Sequence, residues 1–253
     1  QTVQMLNKAR EKALSEIDKD KELPTEEARA TAKQIVGSLM DVLQKTIESG
    51  KLNGGAALRL APQNINFVAG GFVADGKSVE KDLKRLVELA KQSKENPGVE
   101  VKFDAATHGG VTLHTITVPV PAREEEARKI LGDKMLTVIG TGATSIYVAF
   151  GNDSMELLKE VIDSSTAATG QTAPMTLNVS LAPIMAFAAS VDDDPIVAGL
   201  AEALKNGQGK DHIAISSKAI ERGVAYRVEV EEGVLQLIGQ AAKMKNAQER
   251  DPF

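Results

Sequence analysis

Two hydrophobic periods alternate along this 253-residue chain. The first stretch, residues 1 to about 50, is helical in pattern. Val3, Leu6, Ala13 and Ile17 fall near one face, and Ala28, Ala32, Ile35, Leu39, Val42 and Leu43 then recur as far as Ile47. Leu23-Pro24-Thr25-Glu26-Glu27 marks a helix start, with Thr25 as cap and two glutamates at the positive helix end. Gly50 offers a stop. The pattern predicts a pair of antiparallel helices. From residue 57 the period changes to two. A short strand over 57–61 and an apolar strand over 66–74 precede a turn at Asp75-Gly76. Asp75 or Ser78 can cap the helix that follows, which carries Val79, Leu83, Leu86, Val87 and Ala90 on one stripe. Asn96-Pro97-Gly98 ends it.

The alternation then predicts hairpins. Val99–Asp104 pairs with Val111–Val118 around Gly109-Gly110, and a short charged helix spans Glu124–Leu131. A second hairpin joins Met135–Ile139 to Ser145–Phe150, and Asp153 with Glu156 resembles a capping pair for the next helix. Residues 164–174, small and polar, read as a linker or exposed loop. A strand over Met175–Leu181 leads to a helical stretch from Pro183. Asp194-Pro195 starts another helix, which Asn206-Gly207 closes. A last hairpin joins Ile213–Ser217 to Val224–Val230. A helix over 232–247 and an unstructured tail at 248–253 complete the chain.

The strings GVTLHTITV from Gly110 and GVAYRVEVEEG from Gly223 lie at nearly the same offset as the strands near Asn66 and Thr176. This predicts an α+β fold of duplicated strand–helix–strand–strand–helix modules, mainly antiparallel, with helices on one sheet face. The expected organisation is a helical segment over 1–50, a first module plus an extra hairpin–helix over 51–170, and a second module over 171–253.

Composition narrows the chemistry. The chain is 42% hydrophobic and 26% charged, with no apolar run near the length of a membrane-spanning helix. A net charge of −5, six Phe, two Tyr and no Trp disfavour a nucleic-acid surface. With no cysteine there is no disulfide, thiolate nucleophile or Cys-ligated zinc. The partner expected is a protein or a small molecule, not nucleic acid, and residues 1–50 offer a surface for self-association. No cofactor is expected.

Two strings carry candidate chemistry. GFVADGKS, Gly71 to Ser78, fits the phosphate-binding pattern G-x-x-x-x-G-K-[ST]. Gly71 and Gly76 would free backbone N–H groups, Lys77 would reach the β/γ-phosphates, and Ser78 would hold Mg²⁺. Against this, Phe72–Ala74 continue a strand, and such loops belong to parallel sheets. The second candidate is a metal-dependent hydrolase built on His108 and His114, near Asp104; His212 follows Asp211. Zinc needs three or four converging ligands, and no H-E-x-x-H secures them. Asp192-Asp193-Asp194 lacks the calcium-loop pattern, and Gly140-Thr141-Gly142 reads as a hairpin turn, not a dinucleotide fingerprint.

VADGKSVEKDLKRL, GVTLHTITVPVP, LGDKMLTVIGTGATSIYVAFG and GVAYRVEVEEGVLQLIG together resemble uncharacterised proteins of planctomycete-type bacteria that carry a domain of unknown function and are predicted to be exported. The resemblance covers most of residues 55 to 240. It implies a periplasmic or secreted location and transfers no catalytic residue. The leading expectation is therefore a non-enzymatic binding or structural module of the cell envelope. A nucleotide-dependent enzyme and a metal-dependent hydrolase stand as alternatives.

Overall fold

The computed structural model describes residues 2–20, 23, 25–51, 53–92, 98–167, 173–205 and 209–250. The fold is α+β, with antiparallel sheets of six and three strands and a pair of N-terminal helices. Its contacts group into two units: Gln1–Leu58 with Asn66–Ala167, and Arg59–Ile65 with Ala168–Phe253.

In the first unit, α1 (Thr2–Lys19) and α2 (Glu26–Glu48) are antiparallel. Two ion pairs tie them, Arg10 Nη1 to Asp41 at 2.6 Å and Lys33 Nζ to Asp18 at 2.5 Å. Thr25 caps α2 as expected, accepting the Ala28 N–H at 3.1 Å, and Gly50 ends it at a φ of 68°. The strands are β1 (Gly54–Ala61) and β2 (Asn64–Phe72), of which Arg59–Ile65 group with the second unit, and β3 (Glu100–His108), β4 (Val111–Pro119), β5 (Lys134–Thr141) and β6 (Ser145–Phe150). Between them lie α3 (Gly76–Gln92) and α4 (Glu125–Leu131), and α5 (Ser154–Ala167) follows. The strand order is β1-β2-β6-β5-β4-β3, so the β5–β6 hairpin sits between β2 and β4.

Strand alternation sends successive side chains to opposite faces, and paired residues share a face. Val68, Ala149, Val138, Leu113 and Val111 pack with Leu157, Leu158 and Ile162 of α5. His114, one residue on from Leu113, faces the other way, toward α3. Helices thus cover both faces of this sheet, where one covered face was expected. Apolar residues of β2, β4, β5 and β6 face α5, and the alternate positions, His114 among them, face α3. α2 then packs on α3: Arg85 donates to Gln34 at 2.7 Å and the Ala74 N–H to Thr46 Oγ1 at 2.8 Å.

The second unit holds β7 (Thr176–Ser180), α6 (Leu181–Val191), α7 (Pro195–Lys205), β8 (His212–Ile220), β9 (Gly223–Val230) and α8 (Glu232–Arg250). Its sheet order is β7-β8-β9. Leu200, Ala201 and Leu204 of α7 and Val234 of α8 are its buried apolar residues. Asp194 caps α7 through the Ile196 N–H at 2.7 Å. The first unit runs β2, α3, β3, β4, α4 and the second β7, α6, α7, β8, β9, α8, so the second carries one helix more, and β7 lies beside β8 whereas β2 lies beside β1 and β6.

Several boundaries move. α5 runs to Ala167, so the first four residues of the expected linker are helical, while 168–172 lie outside the described residues. α6 begins at Leu181, with Pro183 in its first turn, where a missing N–H costs little. α8 continues to Arg250, so 248–250 are helix and not tail; 251–253 lie outside the described residues, as do the expected stops at 96–97 and 206–207. Asp153 does not pair with Glu156. It exchanges hydrogen bonds with buried Asn66, whose Nδ2 donates to Asp153 Oδ2 at 3.1 Å and whose Oδ1 accepts the Asp153 N–H at 2.9 Å.

Candidate functional site

The Gly71–Ser78 string does not form a phosphate cradle. Gly71 is a strand residue paired with Ile146. The N–H groups that would wrap a phosphate already have protein acceptors: Phe72 to the Asn53 carbonyl, Val73 to Thr144, Ala74 to Thr46 Oγ1 and Gly76 to Ala143. Asp75 caps α3 by accepting the Ser78 N–H at 2.9 Å and the Ser78 hydroxyl at 2.7 Å. These hydrogen bonds hold its carboxyl below the ordinary range. Lys77 pairs with Glu80 at 2.9 Å. The string is a strand end, a capped turn and a helix start.

His108 and His114 stand on opposite sheet faces. His108 pairs with Val111 and shares its face, where Nε2 lies 2.7 Å from Asp163 of α5. His114 is fully buried toward α3. The two imidazoles therefore do not form one metal site. The structure instead gathers His114 with Asp104 and Glu80. A bulge lies between Lys102 and Ala106, where β3 loses register with β4, and Asp104 adopts a φ of 52°. The bulge aims the Asp104 N–H at His114 Nδ1, 3.1 Å away. An amide can only donate, so Nδ1 is the acceptor and the proton sits on Nε2, 3.0 Å from Thr141 Oγ1. Burial pushes the His114 pKa down against the pull of Glu80 and Asp104, keeping the ring neutral at pH 7.

Glu80, Asp104 and His114 could hold a cation, but Lys84 already supplies one. Its Nζ lies 2.9 Å from Glu80 and 3.1 Å from Asp104. Hydrogen bonds from Lys77, outweighing burial, and then from Lys84 bring Glu80 down to about 2. A second cluster, Asp211, His212 and Glu231, is equally committed. Asp211 Oδ2 accepts the Ser180 hydroxyl at 2.5 Å and the Ala182 N–H at 2.7 Å, capping α6 from the neighbouring strand. Burial raises its pKa, yet those hydrogen bonds and the nearby His212 leave it lowered. His212 Nδ1 lies 3.1 Å from Glu231. Both clusters act as structural polar networks.

The Glu80 network carries a pH signature. A carboxylate depressed in the fold stabilises it above the ordinary value of 4.5, and that contribution disappears as pH falls from there toward 2. Neutral buried His114 adds a loss that begins below 6.5, where the unfolded imidazole takes up a proton. Urea unfolding between about pH 7 and pH 3 is expected to show roughly 2 kcal/mol less pH-dependent loss in Glu80→Gln than in the parent. Equal slopes in the two proteins would contradict the network.

The open concave feature is elsewhere in the first unit. A groove of about 450 Å³ is lined by Asn53–Ala57 of β1 and its lead-in, Val68 and Gly70–Phe72 of β2, Thr144, Ser145 and Tyr147, and Val161, Ser165 and Thr166 of α5. Its origin lies in side-chain size. Of the small residues along it, Gly54, Gly55, Ala56, Ala57, Gly70 and Gly71, those on the face of Val68 and Tyr147, Gly70 among them, leave the sheet almost bare beside α5. Gly70 is required: a Cβ there would overlap the Tyr147 ring, which lies over it. The Tyr147 hydroxyl is 2.8 Å from Ser165 Oγ, fixing the ring against α5. Among the described residues no charged side chain lines the groove. Apart from Gly71, these residues are not among the candidates of the sequence, although the runs NGGAA and AGG on consecutive strands are their signal.

Among the described residues no helix is long and apolar enough to cross a membrane. No protein-family model, curated protein or solved structure matches this chain.

Proposed function

We propose that this chain is a non-catalytic binding module of the bacterial cell envelope, and that the groove beside α5 takes a neutral, mainly apolar small molecule. The groove's bare glycine–alanine floor carries the reading. Its volume falls in the usual range for small-molecule sites, about 300–1,000 Å³. The Tyr147, Ser165 and Thr166 hydroxyls supply a few oriented polar groups at its wall, and the lining residues themselves carry no charge. The non-catalytic part is supported by the committed donors of the Gly71–Ser78 string and by the two internally paired polar clusters. The envelope location rests on the family resemblance.

The test is a fluorescence titration with N-phenyl-1-naphthylamine, a neutral apolar probe. Val161→Phe extends the α5 wall into the groove and is expected to weaken probe binding at least about tenfold, while far-UV circular dichroism stays unchanged. Undiminished binding by a folded Val161→Phe protein would place the ligand elsewhere.

A further inference from the structure

We propose that β9 is a self-association edge, pairing antiparallel with β9 of a second copy about a two-fold axis at Val228. Every residue of β9 is exposed. One face shows Val224, Tyr226, Val228 and Val230, each 44–66% exposed, and the other shows Arg227 and Glu229. Apolar rows cross the sheet and stop at this edge: Leu177–Ile215–Val228 and Val179–Ile213–Val230.

Two other sheet edges are blunted: β3 carries a bulge and Lys102, and β7 is only five residues long. The remaining edge, β1, is open but carries only glycine and alanine over its first four residues, with little apolar side chain to bury. β9 has eight residues, no Lys or Pro, and unbroken register with β8, so nothing in it discourages another strand.

Charge selects the partner and the register. Glu231 turns its N–H to the His212 carbonyl. By the two-residue period, Arg227 and Glu229 also turn their backbone toward β8, while Tyr226, Val228 and Val230 turn theirs to the open edge. With the axis at Val228, this residue meets its own copy, Tyr226 meets Val230, and Arg227 meets Glu229 on both sides of the axis. The outward N–H and C=O groups then pair, the apolar rows run on into the second copy, and Arg227 and Glu229, which pair within each strand at 2.5 Å, face the opposite charge of the same pair in the other copy. An axis at Arg227 would set arginine against arginine, which is unfavourable. An axis between residues would place the apolar face of one copy beside the polar face of the other.

The experiment is sedimentation velocity on the full chain over a concentration series, with circular dichroism as the folding check. A reversible dimer is expected. Arg227→Glu and Glu229→Arg are each expected to raise its Kd about tenfold or more, because each sets like charges opposite one another twice. The double variant Arg227→Glu/Glu229→Arg restores the pairs and should return the Kd to within about threefold of the parent. Val228→Lys should abolish dimerisation. A chain monomeric throughout, or a dimer indifferent to these changes, would overturn the proposal; the latter result would direct attention to residues 1–50.

Discussion

Gly76→Ala is expected to destabilise the first unit by about 3 kcal/mol or more, against the sign that helix propensity gives. Gly76 opens α3, where alanine is intrinsically favoured by about 1 kcal/mol. Its N–H donates to the Ala143 carbonyl at 2.9 Å, which draws the helix start onto the β5–β6 turn. A Cβ would run into the Gly142 carbonyl oxygen and crowd that of Ser145 at 3.0 Å. Both obstacles are backbone, and the Gly142 N–H to Ser145 bond holds the turn closed, so no side chain can swing away. The helix start or the turn must shift, and the strain outweighs the propensity gain. Gly239→Ala in α8 is the control. Its Cβ meets nothing within 4 Å, and it should stabilise by up to about 1 kcal/mol. Urea unfolding of both variants checks the pair, and a Gly76→Ala protein as stable as the parent would contradict the close approach.

Leu158→Ala should cost about 3–4 kcal/mol. Leu158 is fully buried on α5 in the cluster with Leu113, Val138 and Ile162. Truncation removes its transfer free energy and leaves a cavity between a helix and a sheet that cannot fully collapse. Leu235→Ala on α8 makes the comparison sharp. Leu235 is 59% exposed, and its loss should stay within about 0.5 kcal/mol. Denaturant midpoints for the two variants decide the matter. Similar losses would mean that the α5 face is not the principal core of the first unit.

Local chemistry made much of this fold legible. The caps at Thr25 and Asp194 and the hairpins around Gly109-Gly110 and Gly140–Gly142 follow from short-range sterics and hydrogen bonding, which a sequence records directly. Strand order does not follow from them. Nothing in Met135–Phe150 says that its hairpin enters between β2 and β4. The histidines show the same limit. His108 and His114 are six positions apart, which in an unbroken strand would keep them on one face. The β3–β4 turn lies between them, and in the resulting register His108 shares the face of Val111 and Leu113 while His114 takes the other.

The Gly71–Ser78 string shows a related limit. Glycine frees backbone N–H groups, but only tertiary context decides what they bind, and here the segment before β1, the β5–β6 turn and α2 supply the acceptors. The groove leaves no motif in the sequence, because it is made by glycine and alanine, which carry no side-chain chemistry of their own. On adjacent strands their effect is subtractive: they remove the side chains that would otherwise fill the space beside α5.

The most direct measurement uses the chain's two tyrosines and its lack of tryptophan. The exposed apolar face of β9 is a second surface that an apolar probe can touch, so binding alone does not locate the ligand. In Tyr226→Phe the remaining tyrosine is Tyr147, in the groove wall. Excitation of Tyr147 with bound N-phenyl-1-naphthylamine should give sensitised probe emission in this variant, and Tyr226→Phe/Val161→Phe should lose it. Sensitised emission that is absent from Tyr226→Phe, or that survives Val161→Phe, would contradict the groove as the binding site.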